Sequence, residues 1–377
     1  MNFNLTDEQS MLSDMLRRFF NEAYTHEKRR QLIADGHAFD KDIYTQIADL
    51  GVLGALFDEE NGGLGGSGAD IMVVFEEIGR AGAIDPILSS AILAGGLIAA
   101  LGTDTQHELL SDIISGQRVV AFAHTEPNSR YDPAHVETQV EHSDSGFTLT
   151  GRKDHVFGGA EADDILIAAR SSGAYNDETG ISLFLVPRET PGLSVTQHRT
   201  IDGFSMARVT FDNMKVDAAA RLGDAGKAFP AIEAVLARAT LAICAEAVGA
   251  MESAKDLTVD YARERKQFGK PIGSFQALQH RMADLLIEIE QARSSVINLA
   301  GNLTAPRNIR ERYVSATKNL VGRAGALLSE ECIQIHGGIG MTDEYALSHF
   351  SKRLVMIDHL FGDVDHHLER FTKLSAA

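Results

Sequence analysis

Apolar positions at the start of the chain recur with a helical period. Met11, Leu12, Met15, Leu16, Phe19 and Phe20 form one stripe, and Thr6 with Gln9 three residues on predicts a capping box at its head. Further helices are predicted through Ile43, Ile47 and Leu50 up to Gly51, from Ile71 to Gly79, from Pro86 to Leu101, and from Gln106 to Ser115 before Gly116. At Arg118 the period drops to two. Val136–Val140, Phe147–Thr150 and Leu193–Val195 alternate, Ile165–Ala169 and Ile181–Val186 read as buried strands, and Asp144-Ser145-Gly146 and Thr190-Pro191-Gly192 as turns. Short strands punctuated this often predict a small antiparallel barrel or sandwich. From Phe229 the helical period returns in three long runs, Ala231–Glu264, Gln276–Leu303 and Arg307–His336, joined by short turns as in an antiparallel bundle. The expected fold is therefore α+β and multi-domain: an N-terminal helical domain over 1–117, a middle antiparallel β-barrel or sandwich over 118–225, and a C-terminal four-helix bundle over 226–377.

Composition narrows what such a chain can do. Its 377 residues suit two or three domains, and 44% hydrophobic with 23% charged residues excludes a disordered chain. A net charge of −18, from 35 Lys and Arg against 53 Asp and Glu, excludes a nucleic-acid backbone as main partner. A phosphate ligand would have to be held by a few local cations and backbone N–H groups. With 2 Cys, Cys244 and Cys332, neither a disulfide framework nor a thiolate metal site is expected, and a reducing cytoplasm is the expected location. The opening Met1–Glu8 lacks the basic and apolar regions of a signal peptide. The longest uncharged run, Pro86–Gly102, is too short for a bilayer and is interrupted by Ser89, Ser90, Gly95 and Gly96, so no membrane insertion is expected.

Four stretches carry candidate chemistry. Gly63-Leu-Gly-Gly-Ser-Gly68 matches the dinucleotide pattern, but polar Phe57–Asn61 precedes it where a buried strand is needed, so it reads as a flexible helix-to-helix loop. His359, Asp363 and His367 would share one helix face and admit a metal, yet Phe361-Gly362 interrupts that helix, and no metal is expected. Tyr261-Ala-Arg-Glu-Arg265-Lys-Gln267-Phe268-Gly269-Lys-Pro-Ile272-Gly-Ser-Phe275-Gln276 reads equally well as a basic helix C-terminus stopped by Gly and Pro or as an anion-binding arm. Gln334-Ile335-His336-Gly337-Gly338-Ile339-Gly340 lets a backbone approach a ligand closely. Arg130, Tyr131 and Arg238 are expected on the surface rather than in an acyl pocket.

The last two stretches together resemble the acyl-CoA dehydrogenase family, as do Leu5-Thr-Asp-Glu-Gln9, Glu59–Gly65 and Thr125-Glu126-Pro127, so that the resemblance covers essentially the whole chain. It implies an FAD-dependent α,β-desaturation of an acyl-CoA thioester, with the α-proton taken by a carboxylate in a dry pocket. It also implies that Arg265, Gln267, Phe268, Phe275, Gln334, Gly337 and Gly338 reach across a subunit interface to the diphosphate and adenine of a neighbour's FAD. Phe122, His124 and Thr125 would contact the flavin. A guanidinium suits a diphosphate by charge-assisted hydrogen bonds.

This sequence also departs from the family. Its catalytic Glu aligns with Gly362, leaving Asp363 as the neighbouring candidate base, and the other position used for a base aligns near Ala239. The Trp-Ile-Thr that meets the flavin aligns with His155-Val156-Phe157, and Asn128–Asp132 replaces a Gly-rich run after Thr125-Glu126-Pro127. The chain is thus similar to small subunits of hetero-oligomeric members, of the pimeloyl-CoA dehydrogenase type, on the strength of Cys244–Met251 and Phe361–Leu368. That implies a heterotetramer with a homologous larger subunit and an electron-transfer acceptor. The alternatives are a self-sufficient homotetramer using Asp363, and a flavin-free scaffold or acyl-CoA-binding subunit.

Overall fold

The computed structural model describes residues 5–143 and 146–376. Asp144 and Ser145 of the expected turn, and the first four residues of the opening stretch, lie outside the described residues. In chain order the helices are α1 (Asp7–Ala23), α2 (His26–Ala34), α3 (Lys41–Asp49), α4 (Gly68–Ala81), α5 (Gly96–Leu101), α6 (Asp104–Ile114), α7 (Phe229–Glu264), α8 (Gln276–Asn302), α9 (Arg307–His336), α10 (Leu347–His359) and α11 (Val364–Ala376). The strands of the main sheet are β1 (Val120–Ala123), β2 (Gln139–Ser143), β3 (Gly146–Phe157), β4 (Asp164–Arg170), β5 (Ile181–Pro187), β6 (Leu193–Arg199), β7 (Ser205–Asp217) and β8 (Arg221–Leu222). Two compact units result: Met1–Gln31, Gly68–Ala83 and Thr240–Ala377 in one, Leu32–Ser67 and Ile84–Ala239 in the other.

The first unit is helical. Thr6 caps α1 as the sequence predicts, with its hydroxyl accepting from the Gln9 N–H and the Gln9 amide returning the bond. Of the expected stripe only Leu16 and Phe20 are fully buried, and Met11 is 63% exposed. Helix α2 carries no apolar period and so escaped the pattern. It is held instead by buried Arg29, which donates to the Gly82 carbonyl (2.7 Å) and to His349 Nδ1 (2.8 Å). Helix α7 is long and apolar enough to cross a membrane, but 83% of that window is buried in the protein, which makes it a core helix. Helices α4 and α7 touch backbone to backbone: a Cβ on Gly79 would overlap the Glu246 carbonyl, and one on Gly249 the Glu76 carbonyl. Glu246 also pairs with Arg353 through two bonds of 2.6 and 2.7 Å, both residues buried.

The second unit is built on the β-sheet. Its order is β6-β7-β3-β2-β4-β5-β8, with β1 added on β4. The expected barrel is not closed. The two-residue β8 is too short to meet β6, and β1 joins β4 in parallel while β2 touches it in parallel at Gln139, so the sheet is open and mixed. Buried runs β4 and β5 pair in full register from Asp164↔Pro187 to Arg170↔Ile181. The alternation at Val136–Val140 enters a strand only at Gln139. The helix expected from Pro86 is a π-helical segment, Leu88–Gly95, followed by α5, and the one expected from Gln106 starts earlier, under a second capping box of Thr103 with Gln106. The Gly63–Gly68 loop is tied to the chain before it. Short turns precede it, and the Gly63, Leu64, Gly65 and Gly66 N–H groups all bond to carbonyls of residues 54–58.

Candidate functional site

At one end of the bundle the two motif stretches meet. Tyr261, in the last turn of α7, stacks on His336 at the end of α9 with ring centroids 4.4 Å apart. The His336 Nδ1–H donates to the Cys332 carbonyl (2.8 Å), leaving Nε2 to accept from the Tyr345 hydroxyl (3.2 Å). Burial lowers its pKa, so the ring stays neutral and stacks without a charge. This contact carries Arg265, one turn past Tyr261, to the same end of the bundle as Gln334, Gly337 and Gly338.

The geometry of that end is open. Arg265, Gln267 and Gln334 are exposed, Phe275 is half-buried, and nothing among the described residues pairs the Arg265 guanidinium. A Cβ placed on Gly337 (φ +67°) or Gly338 would meet nothing within 4 Å. Lys266–Gln267 and Lys270–Pro271 form a tight ribbon whose tip is Phe268 (φ +53°) and Gly269 (φ +79°). Such a turn asks for positive φ at both central residues, which a bulky aromatic resists. Yet Phe268 occupies it and stands 92% exposed, its ring edge-on to that of Phe275 with centroids 6.2 Å apart. A strained, exposed aromatic, an unpaired guanidinium and two open glycines thus share this end of the bundle. A planar cation and side-chain amides are chemistry that suits a diphosphate, and the glycines leave the backbone open to close approach although the Gly337 N–H itself donates to the Ile333 carbonyl.

The β unit holds Phe122, His124 and Thr125. Phe122 is 6% exposed and lies parallel to the His124 ring, 5.2 Å away. His124 Nε2–H donates to the Pro133 carbonyl (2.9 Å), and burial with the nearby Lys153 lowers its pKa to about 4. The Thr125 carbonyl accepts from the Asp154 N–H (2.9 Å). Next to them lies an ion pair that no spacing in the sequence marks out. Glu126 forms a buried ion pair with Lys153 (2.6 Å) and accepts the N–H groups of Glu137 (2.6 Å) and Thr138 (2.9 Å). Burial lowers Lys153 to about 8 against the opposing pull of Glu126. Glu126, His135 and Glu137 also bring potential metal-ligand atoms within 4.8 Å of one another, but the Lys153 ammonium already neutralises that position.

The 360–363 loop carries Gly362 and the candidate base Asp363. The helix does not continue from His359 to His367: α10 ends at His359, Phe361 (φ +56°) and Gly362 (φ +119°) turn the chain, and α11 starts at Val364. The shared face for His359, Asp363 and His367 therefore does not exist, and buried His367 donates to the Phe361 carbonyl (3.1 Å). Gly362 is buried, and a Cβ there would come within 2.6 Å of both the His366 and His367 rings. Beneath the loop lies Lys318, 0% exposed, whose ammonium donates to the carbonyls of Gly362 (2.6 Å) and Asp358 (2.8 Å). Burial depresses its pKa. Asp363 is half-buried and its carboxylate accepts the His366 N–H (2.8 Å), capping α11. Ala239, near which the resemblance puts the other base position, is fully buried.

Arg238, expected on the surface, is half-buried. Its guanidinium donates to the Gly66 (3.0 Å) and Leu56 (2.9 Å) carbonyls, fixing the glycine loop, and burial lowers its pKa. Arg130 is exposed and Tyr131 half-buried.

Comparison with known proteins bears on the family and the fold. The family descriptions "Acyl-CoA dehydrogenase, N-terminal domain", "middle domain" and "C-terminal domain" match residues 6–117, 121–214 and 202–370. The chain is similar to the probable acyl-CoA dehydrogenase YngJ of Bacillus subtilis, at 31% identity over 92% of each chain. Its fold is similar to butyryl-CoA dehydrogenase from Megasphaera elsdenii, with a TM-score of 0.91 at 26% identity over 100% of both chains. It is also similar to the ChsE4-ChsE5 complex from Mycobacterium tuberculosis, with a TM-score of 0.89 at 26% identity over 100% of this chain and 99% of that one. On its fold, its motifs and these matches, the chain belongs to the acyl-CoA dehydrogenase family.

Proposed function

We propose that the chain is a subunit of an FAD-dependent acyl-CoA dehydrogenase that completes a shared site with a larger, homologous catalytic subunit, as in heteromers of the pimeloyl-CoA dehydrogenase type. The observation that carries this reading is Gly362. It stands where the family's carboxylate is expected, with a left-handed φ and no room for a side chain, while Asp363 is committed as the cap of α11. A chain without its own proton acceptor still presents Arg265, Gln334 and the two glycines outward. Phe268, Ile339 and Met341 around them are 92%, 45% and 72% exposed, which suits burial against a partner. The similarity to a two-protein complex supports the same reading.

In this account Arg265 pairs with the diphosphate of FAD, and the Gly337–Gly338 backbone lets it approach. The neutral His336 ring keeps Tyr261, and with it Arg265, in place. FAD held there would supply the hydride acceptor for the acyl β-carbon, and the partner subunit would provide the carboxylate for the α-proton. The reaction is expected in the cytoplasm, with an electron-transfer protein as acceptor.

Purification of the chain alone and with its co-expressed partner tests this. Stoichiometric flavin and acyl-CoA desaturation are expected only from the complex. A lone chain that binds FAD and turns over would establish the self-sufficient homotetramer instead, and a flavin-free complex the scaffold. Asp363→Asn retains a capping oxygen, so turnover of the complex should stay within about twofold. A loss of several orders of magnitude, the usual cost of removing a base, would assign Asp363 that role.

A further inference from the structure

Asp85 precedes the π-helical segment and is 8% exposed, and neither of its carboxyl oxygens has a hydrogen-bond partner among the described residues. Buried carboxyls without partners are rare and call for an explanation. Asp85 lines a cavity of about 20 Å³ with Ser89, Phe157, Gly158, Glu161 and Ser205, room for one water-sized group. Other features converge there. Leu88–Gly95 is π-helical for eight residues, a geometry found mostly as single turns at functional sites. Gly158 has φ +63°, and a Cβ on it would come within 2.6 Å of the Ser89 hydroxyl, so only glycine lets the end of β3 approach this closely. Glu161 adds a second carboxylate, bonded to Ser205 (3.1 Å) and Gln197 (3.0 Å). A cavity this small, with two free carboxyl oxygens and a second carboxylate, complements a hydrogen-bond donor and repels an anion or a methyl group. Burial lifts Asp85 to about 7, so near neutrality it is poised to gain a partner. Phe157, which aligns with the family's flavin-edge position, forms part of the same wall.

We propose that this cavity is a specificity subsite for the acyl group, in which Asp85 receives the hydrogen of a hydroxyl or protonated amine borne on the acyl chain. The proposal rests on the acyl-CoA reading above. It is tested by calorimetric titration of the purified complex with butyryl-CoA and hexanoyl-CoA and their ω-hydroxy and ω-amino counterparts. At one chain length the wild type should bind a donor-bearing member at least about tenfold more tightly than the unsubstituted one, the scale of a hydrogen bond to a charged group. Asp85→Leu should abolish that preference and leave binding of the unsubstituted chain within about twofold. Asp85→Asn, of the same shape, should keep part of a hydroxyl preference and lose an amine preference, and it carries the test if the Leu variant fails to fold. No preference in the wild type, or one that survives both substitutions, would overturn the subsite while leaving acyl-CoA binding intact, and Asp85 would then face a structural water only. Failure of every thioester to bind would overturn the subsite and the acyl-CoA reading together.

Discussion

Gly362→Ala tests whether the 360–363 loop has truly closed the family's base position. The alanine adds only a Cβ, so it isolates backbone and packing from charge. At φ +119° an L-residue is strained by about 1–3 kcal/mol. The Cβ also comes within 2.6 Å of His366 Cδ2 and His367 Nε2 and 2.9 Å of His367 Cδ2, and such overpacking adds about 1–3 kcal/mol. The rings cannot move freely, because His367 is buried and bonded to Phe361, and Lys318 clamps the Gly362 carbonyl from below. The two contributions sum to about 2–6 kcal/mol, a large part of a typical stability of about 5–15 kcal/mol. Urea denaturation followed by circular dichroism measures this, with Leu368→Ala, at a 55% exposed position of α11, as a control expected within about 0.5 kcal/mol of wild type. Gly362→Glu should be at least as destabilised and should not make the lone chain a dehydrogenase. A Gly362→Ala protein as stable as wild type, or an active lone Gly362→Glu chain, would refute the argument.

Glu126→Gln leaves the fully buried Lys153 ammonium without its charge partner and should cost about 3–5 kcal/mol in the same assay, whereas a loss below about 1 kcal/mol would mean the pair is not structural. Asp85 gives a pH signature. Its pKa rises from 3.8 to about 7 on folding, so the folded state binds the extra proton between those values and unliganded stability falls as pH rises from about 4 to 7, then levels off. The span corresponds to about 4 kcal/mol at most. Asp85→Asn should flatten this slope and match or exceed wild-type stability at pH 8; an unchanged slope would place its origin elsewhere.

The order of helices, sheet and bundle was legible because burial imposes its period on sequence: β4, β5 and the three long helices are one-sided or fully buried over many residues. Helix α2 was not, since it is anchored by the polar side chain of Arg29 rather than by an apolar stripe. Closure of the sheet is not legible in the sequence, because pairing partners depend on where β1 enters and on the two-residue length of β8, neither of which leaves a periodic trace. At the site, the glycines and Arg265 stood out by type and spacing. Lys318 and Asp85 did not, nor did the burial of Glu126 and Arg238, because each takes its importance from contact with residues distant in the chain. A lysine beneath two carbonyls looks in sequence like any surface lysine.

The central claim is that Arg265 and the Gly337–Gly338 backbone hold the diphosphate of FAD at a subunit interface. Fluorescence titration of FAD into the deflavinated complex, wild type against Arg265→Ala, tests it most directly. Removing a charge-assisted contact of about 1.5–3 kcal/mol should weaken FAD binding by at least about tenfold, with Arg265→Lys recovering only part of the loss. Equal FAD affinity in wild type and Arg265→Ala would contradict the account.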